Sequence, residues 1–341
     1  MLRAFAVLLV FIFHVFEMIR AKHAVIDDGV ARFGVILFFV HTSCVLMGSM
    51  QSLRSDGDAW AQRFYLRRLF RLYPLSVFVI LVSVLTKAPM MPWMGLEHAP
   101  YSASVILSNL LLIQNITGKI SVIGVLWSLP IEVEMYLVLP LVFLLVQSRN
   151  WGRKMTLLWA GSAVLIVGGQ FIAGLVFRGS HKFEALEFIP CFLSGAIAFG
   201  LARPARQWPA LLWVPSLLVL IAIGGSWAFN PLVFWPCCLA LAFLYSRVAQ
   251  MSRNWFTAIC FQIAKYSYGI YLTHSFGLWI FYQLLGQTLH SEAIRLVGTI
   301  AFTLVASVFL FHFVEDPMIQ LGKRLTTGWA ISQGAREPAV Q

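Results

Sequence analysis

The sequence predicts an all-α, polytopic integral membrane bundle of about ten transmembrane helices with both termini in the cytoplasm. Three observations predict it. Sixty per cent of the 341 residues are apolar and only 11% are charged, against roughly 25% charged in a soluble globular domain. Mean hydropathy is +0.81, and the apolar residues gather in runs close to the roughly 20 residues that cross a bilayer core. The basic residues, finally, sort to one side when successive runs alternate in direction. A soluble enzyme, a disordered chain, a coiled coil and a collagen are excluded by the same observations.

The runs fall at 3–20, 33–50, 73–90, 124–147, 156–178, 185–203, 208–225, 230–247, 266–285 and 294–314. With the N-terminus inside, most of the 25 Lys and Arg residues lie in cytoplasmic connections, among them Arg63, Arg67, Arg68, Arg71, Arg153, Lys323 and Arg324. This asymmetry orients the bundle and accounts for the net charge of +11 without a nucleic-acid partner. The expected partners are membrane lipids, and the expected location is a bacterial-type inner membrane, crossed many times. The first run begins like a signal peptide, but His14 and Glu17 interrupt its apolar stretch and no small-x-small cleavage site follows, so it reads as a mature helix. Residues 104–116 are apolar but too short to span, which suits a re-entrant or interfacial piece. The five cysteines lie in apolar stretches without metal-like or disulfide-framework spacing and read as small core residues. The expected organisation is one transmembrane domain over 1–325 and a disordered cytoplasmic tail over 326–341.

Ionisable groups inside a bilayer are costly and mark bundle interiors or wet cavities. Arg3 and His14 are 11 positions apart, three helical turns, so they share nearly one face about 16 Å apart. Glu17 follows three residues later on a neighbouring face. In RFYLRRLFRLYP, Arg67, Arg68 and Arg71 fall on one side of a helix near the inner surface. Two readings stand for them: a lipid-headgroup anchor, or a phosphate site, since arginine forks match phosphate oxygens. Pro74 is expected to open the third span. The fourth carries Glu132 and Glu134 on different faces. At least one of these carboxylates should meet a His or Arg on another helix, and Pro130 is expected to kink or open the helix. His41, Thr42 and Ser43 sit within the second span, where Ser and Thr commonly bond their own backbone. Tyr268, Tyr271 and His274 in the ninth span form either an interfacial belt or a polar pocket. Glu315 and Pro317 read as a helix stop with a salt bridge. No GxxxxGK[ST], HExxH, GxSxG or CxxC motif occurs, and no metal site is expected.

Taken in order, these segments resemble the membrane-bound acyltransferase family 3, the O-acyltransferases that modify surface glycans and small molecules. RAFAVLLVFIFH (3–14) matches the family's Arg-x10-His opening, and GVILFFVHTSCVL (34–46) its Gly-Val…Phe-Phe-Val…Ser segment, with Thr42-Ser43 where Ser-Gly is usual and His41 as an addition. RRLFRLYP (67–74) contains the Arg-x-x-Arg as Arg68 and Arg71. WSLPIEVEMY (127–136), YSYGIYLTH (266–274) and VEDP (314–317) complete a resemblance that runs from residue 3 to about 320. It implies transfer of an acyl group, acetyl in first place, from cytoplasmic acyl-CoA to a hydroxyl of a glycan or small molecule. By the same resemblance, Arg3, Arg68 and Arg71 would meet the CoA phosphates. The pantetheine arm would reach along the bundle toward His14, which would act as general base or as covalent acyl carrier. Glu132, or else Glu17, would orient the His14 ring. Glu17, Trp127, Ser128, Tyr136, Tyr271 and His274 are expected at the substrate. The rival readings are a transporter or flippase of glycan-lipid intermediates, which ten spans and internal charges also suit though no inverted repeat is visible, and a non-catalytic descendant of an acyltransferase.

Overall fold

The computed structural model describes residues 1–20, 29–92, 101–176, 184–201 and 203–334. Among these the chain is helical throughout, with one isolated bridge between Trp208 and Val248 in place of any strand. In chain order the helices are α1 (Leu2–Arg20), α2 (Gly29–Ser55), α3 (Trp60–Thr86), α4 (Ala103–Leu110), α5 (Gln114–Thr117), α6 (Ser128–Val146) and α7 (Trp151–Val176). They continue with α8 (Glu184–Glu187), α9 (Ile189–Gly200), α10 (Trp213–Ser226), α11 (Pro231–Arg247), α12 (Trp255–Leu278), α13 (Glu292–Leu310) and α14 (Asp316–Gly334).

Helix α2 is the hub, packing against α1, α3, α6, α9, α10 and α11. It contributes to two apolar clusters. One, with Leu46, Met47, Leu75, Phe143 and Leu272, joins α2, α3, α6 and α12. The other, with Val10, Phe33, Phe39, Phe192 and Trp235, joins α1, α2, α9 and α11. Large apolar side chains also point outward, Leu85, Leu165, Leu211 and Val305 among them. Such a coat would promote aggregation in water and is what a lipid-facing surface requires.

Lipid supplies no hydrophobic drive between helices, so close approach rests on small residues. At Gly34 an added Cβ would stand 2.9 Å from the Ala6 carbonyl oxygen, and at Gly195 2.2 Å from that of Val40. The α2–α9 contact therefore exists only because residue 195 lacks a side chain. Gly195→Val is expected to cost about 1–3 kcal/mol or more through overpacking. It should lower the thermal transition of the detergent-solubilised protein, whereas Gly161→Ala, with nothing within 4 Å, should not. Equal transitions for both variants would refute the packing role.

Each of the ten expected runs overlaps a helix, but length divides them. Among the described residues, five stretches are long and apolar enough to cross a membrane: Leu2–Ile19, Gly29–Ser55, Trp60–Thr86, Gly124–Val146 and Glu292–Thr327. The apolar helices Ile189–Gly200, Ala210–Ser226 and Pro231–Arg247 are shorter. With 12 residues, α9 extends only about 18 Å, against a core of roughly 30 Å. Helix α12 has the length, with 24 residues, but its Lys, Tyr, Ser, Thr and His residues keep it out of that set.

Three local expectations are corrected. Helix α3 runs without a break from Trp60 to Thr86, so the arginine run lies on the helix itself and Pro74 falls inside it instead of opening it. Pro130 sits in the first turn of α6, where its missing N–H costs little, and Pro140 is the interior proline. The helix expected to become a tail at 326 continues to Gly334, and Thr326 is buried against α3. The remainder of that tail, 335–341, lies outside the described residues. Residues 104–116 form α4 and α5, short helices beside α3 and α6.

Candidate functional site

The site is organised by one face of α1. Arg3, Ala6, Val7, Val10 and His14 follow the i, i+3, i+4, i+7, i+11 spacing of a single helical stripe. Two adjoining cavities and a histidine pair meet that stripe in succession.

The first cavity, about 500 Å³ including its open mouth, is lined mainly by polar residues. Arg3 from α1, His41 and Thr42 from α2, Arg68 and Arg71 from α3, Glu132 and Tyr136 from α6, and Tyr268 from α12 line it. Arg3 is held in place by donating from Nε to Ser267 Oγ at 2.6 Å and by lying 4.8 Å over the Phe38 ring. The Tyr136 hydroxyl donates to Glu132 within the same helix. Tyr268 donates to the Leu72 carbonyl at 2.8 Å, tying α12 to α3.

The arginines of α3 divide by partner. Arg63 donates to the carbonyls of Leu53 and Gly57 and closes the end of α2. Arg67 donates to Thr326 and docks α14. Arg71 forms an ion pair with Glu315 and lies 5.7 Å over the Tyr268 ring. Arg68 alone among these lines the cavity with its buried Nε lacking a partner among the described residues. Three guanidinium groups thus face the space with one lining carboxylate, Glu132, already engaged by Tyr136. Such a chamber is suited to an anion that accepts several hydrogen bonds, phosphate above all.

The second cavity, about 400 Å³, shares Phe38, Glu132 and Tyr268 with the first. Its other walls are largely apolar: Ala6, Val7, Val10, Gly34, Val35, Phe39 and Leu129, with Ser128 and Tyr271 as the polar groups. The Tyr271 phenol donates to the Val125 carbonyl at 2.7 Å, so the 2.9 Å contact with Ser128 has the serine hydroxyl as donor.

One turn beyond Val10, His14 meets His274. Their rings stack 9° from parallel, and His14 Nδ1 is 2.8 Å from His274 Nε2. His274 Nδ1 is 3.1 Å from the Ile270 carbonyl, an acceptor only, which assigns the hydrogen to His274 Nδ1. His274 Nε2 is then the acceptor, His14 Nδ1 carries the hydrogen, and the basic lone pair of His14 falls on Nε2. Both rings are buried, His274 completely at 0% exposure. Tyr271 lies beside them, its ring centroid 6.2 Å from that of His274.

The expected site residues thus separate by depth. Arg3, Arg68, Arg71, Glu132 and Tyr136 share the polar cavity, Ser128 and Tyr271 the apolar one, and His14 and His274 the far end. The expectation that Glu132 orients His14 is corrected: the Glu132 carboxylate engages Tyr136, and His274 contacts the imidazole. His274, expected at the substrate, contacts the His14 ring. Glu134 accepts from Asn115 at 2.6 Å and not from a His or Arg. Trp127 packs on Phe188, with Arg32 above its ring. Glu17 is buried one turn past His14. Arg67 does not share the chamber of Arg68 and Arg71. Sequence reasoning missed His41 and Thr42 as lining groups; Ser43 has a structural bond, though to Phe192 O at the start of α9, at 2.6 Å, and not to its own helix. The extra histidine in an apolar span was the available signal. The salt bridge expected at Glu315 is present, with Arg71 as the partner that the sequence did not name. Among the described residues, no three His, Cys, Asp or Glu side chains are grouped to hold a metal ion.

No curated protein and no solved structure matches the chain. The family model described as an acyltransferase domain, Acyl_transf_3, matches residues 1–312, which takes in both cavities and the histidine pair. The chain, a helical membrane protein with an arginine-lined chamber and paired histidines along one face of α1, therefore belongs to acyltransferase family 3.

Proposed function

We propose that the protein is an acyl-CoA-dependent O-acyltransferase of a bacterial-type inner membrane. It moves an acyl group, acetyl in first place, from cytoplasmic acyl-CoA to a hydroxyl of a sugar in a cell-surface or exported glycan. The single observation that carries this reading is the order of environments along α1: three arginines, an apolar passage, then a histidine with its basic nitrogen on Nε2. A CoA thioester has the same order of parts, phosphates, then pantetheine arm, then reacting carbonyl. The roughly 16 Å from Arg3 to His14 is a length such an arm covers. In this reading the chain crosses the membrane ten times with both termini in the cytoplasm, which puts the arginines on the donor's side.

His14 Nε2 takes the proton of the acceptor hydroxyl as its oxygen attacks the thioester carbonyl. The carbon–sulfur bond breaks, the ester forms, and the CoA thiolate recovers the proton from the imidazolium. His274 holds the His14 ring and shares the transient positive charge through the Nδ1–H. Tyr271 and Ser128 lie where the arm ends and the acceptor arrives.

The test uses the full chain in nanodiscs, with labelled acetyl-CoA and a panel of glycan acceptors. Wild type is expected to bind the donor and acetylate an acceptor. Arg68→Ala removes a charge-assisted contact of about 1.5–3 kcal/mol and should weaken donor binding roughly ten- to hundredfold. Arg67→Ala, whose side chain docks α14, should leave binding within about threefold. Folded wild type with no affinity for any acyl-CoA would end this reading and favour transport of a glycan intermediate.

A further inference from the structure

His41 lies on α2 one turn from Phe38, the residue at the junction of the two cavities on which Arg3 is stacked. Its side chain lines the polar chamber, and its Nδ1 is buried with no partner among the described residues. A buried imidazole nitrogen left unpaired is costly, and four of the other polar side chains lining the chamber already have partners. Arg3 is bonded to Ser267, Arg71 to Glu315, Tyr136 to Glu132 and Tyr268 to Leu72. Arg68 shares the condition of His41, with Nε buried and unpartnered. These two groups come from different helices, α2 and α3, and both face the same space. A bound anion that accepts from both satisfies them together.

We propose that His41 is a donor-recognition residue: a ring N–H hydrogen-bonds an oxygen of the phosphate-bearing end of the acyl donor beside Arg68. This rests on the acyl-CoA reading above and goes further, since it assigns a side chain to discrimination between phosphorylated and phosphate-free thioesters. The neutral ring suffices in the tautomer that carries its hydrogen on Nδ1, the unpartnered nitrogen. His41 lines the polar chamber and not the apolar passage, so the residue acts on the donor's charged end and not on its arm.

The experiment compares wild type, His41→Ala and His41→Asn, each as full chain in nanodiscs. Acetyl-CoA binding is measured by calorimetry, and turnover is measured with acetyl-CoA and with S-acetyl-N-acetylcysteamine, a thioester without phosphate. His41→Ala is expected to raise Kd and KM for acetyl-CoA about tenfold, the loss of one hydrogen bond to a charged group, with kcat within twofold. Kinetics with the phosphate-free donor should be unchanged. His41→Asn, which keeps an N–H donor, should recover part of the affinity and serves if the alanine variant does not fold. An equal KM increase for both donors, or no increase for either, overturns the proposal while the acyl-CoA reading stands. Wild type that binds no acyl-CoA removes both.

Discussion

His14→Ala is expected to lower kcat for acyl transfer by about 10²–10⁴-fold, the usual contribution of a positioned general base, with acetyl-CoA affinity within about twofold of wild type. The split follows from depth. The arginines that would hold the donor line a chamber three turns away on α1, so removing the imidazole leaves the binding end intact. His14 is buried at 6% exposure, and its loss opens only a small space next to His274, so the helix remains inserted. Calorimetry with acetyl-CoA and a single-turnover transfer assay on the same nanodisc sample read the two quantities. A variant that transfers at more than a tenth of the wild-type rate would remove His14 from the chemistry. A variant that loses binding and transfer together would place the donor end, and not the reacting end, at this ring.

His274→Ala should lower kcat about 10–100-fold and leave KM for the donor nearly unchanged. His274 is a positioning residue in this scheme: it reaches the reaction only through His14. Its Nε2 accepts the His14 Nδ1–H at 2.8 Å, and its own Nδ1–H is anchored on Ile270. Without that acceptor His14 can adopt the other tautomer or turn, and the base is lost for much of the time. His274→Gln or His274→Asn restores a carbonyl oxygen that can accept, so either should recover part of the rate. A purely structural role predicts something else, since all three substitutions would then scale with thermal stability and none would rescue. Parallel melting curves and kcat values for the three variants decide it.

The placement of Arg71 shows how the chamber holds one of its guanidinium groups. Its ion pair with Glu315, buried at 1% exposure where α13 passes into α14, keeps a guanidinium in the chamber without leaving its charge uncompensated. Among the described residues Arg68 has no such partner. Arg68 and Arg71, three residues apart in RRLFR, are therefore in different electrostatic states although they share a helix face.

Composition and spacing alone were enough for the helical membrane architecture, the Arg3–His14 stripe and the family motifs. These depend on local quantities: the hydrocarbon demand for apolar runs, and the 3.6-residue period that puts residues 11 apart on one face. The opposite faces of Glu132 and Glu134 were legible for the same reason. Partner identity was not. That His274 and not Glu132 meets His14, that Arg67 bonds Thr326 and does not share the chamber of Arg68 and Arg71, and that His41 lines that chamber all follow from how α2, α3, α6 and α12 rotate about α1. Such rotations are fixed by contacts between residues far apart in sequence, such as Gly195 against Val40 or Tyr268 against Leu72. A helical period names the face a residue occupies but not the neighbour that face will meet, and only the packed bundle supplies the neighbour.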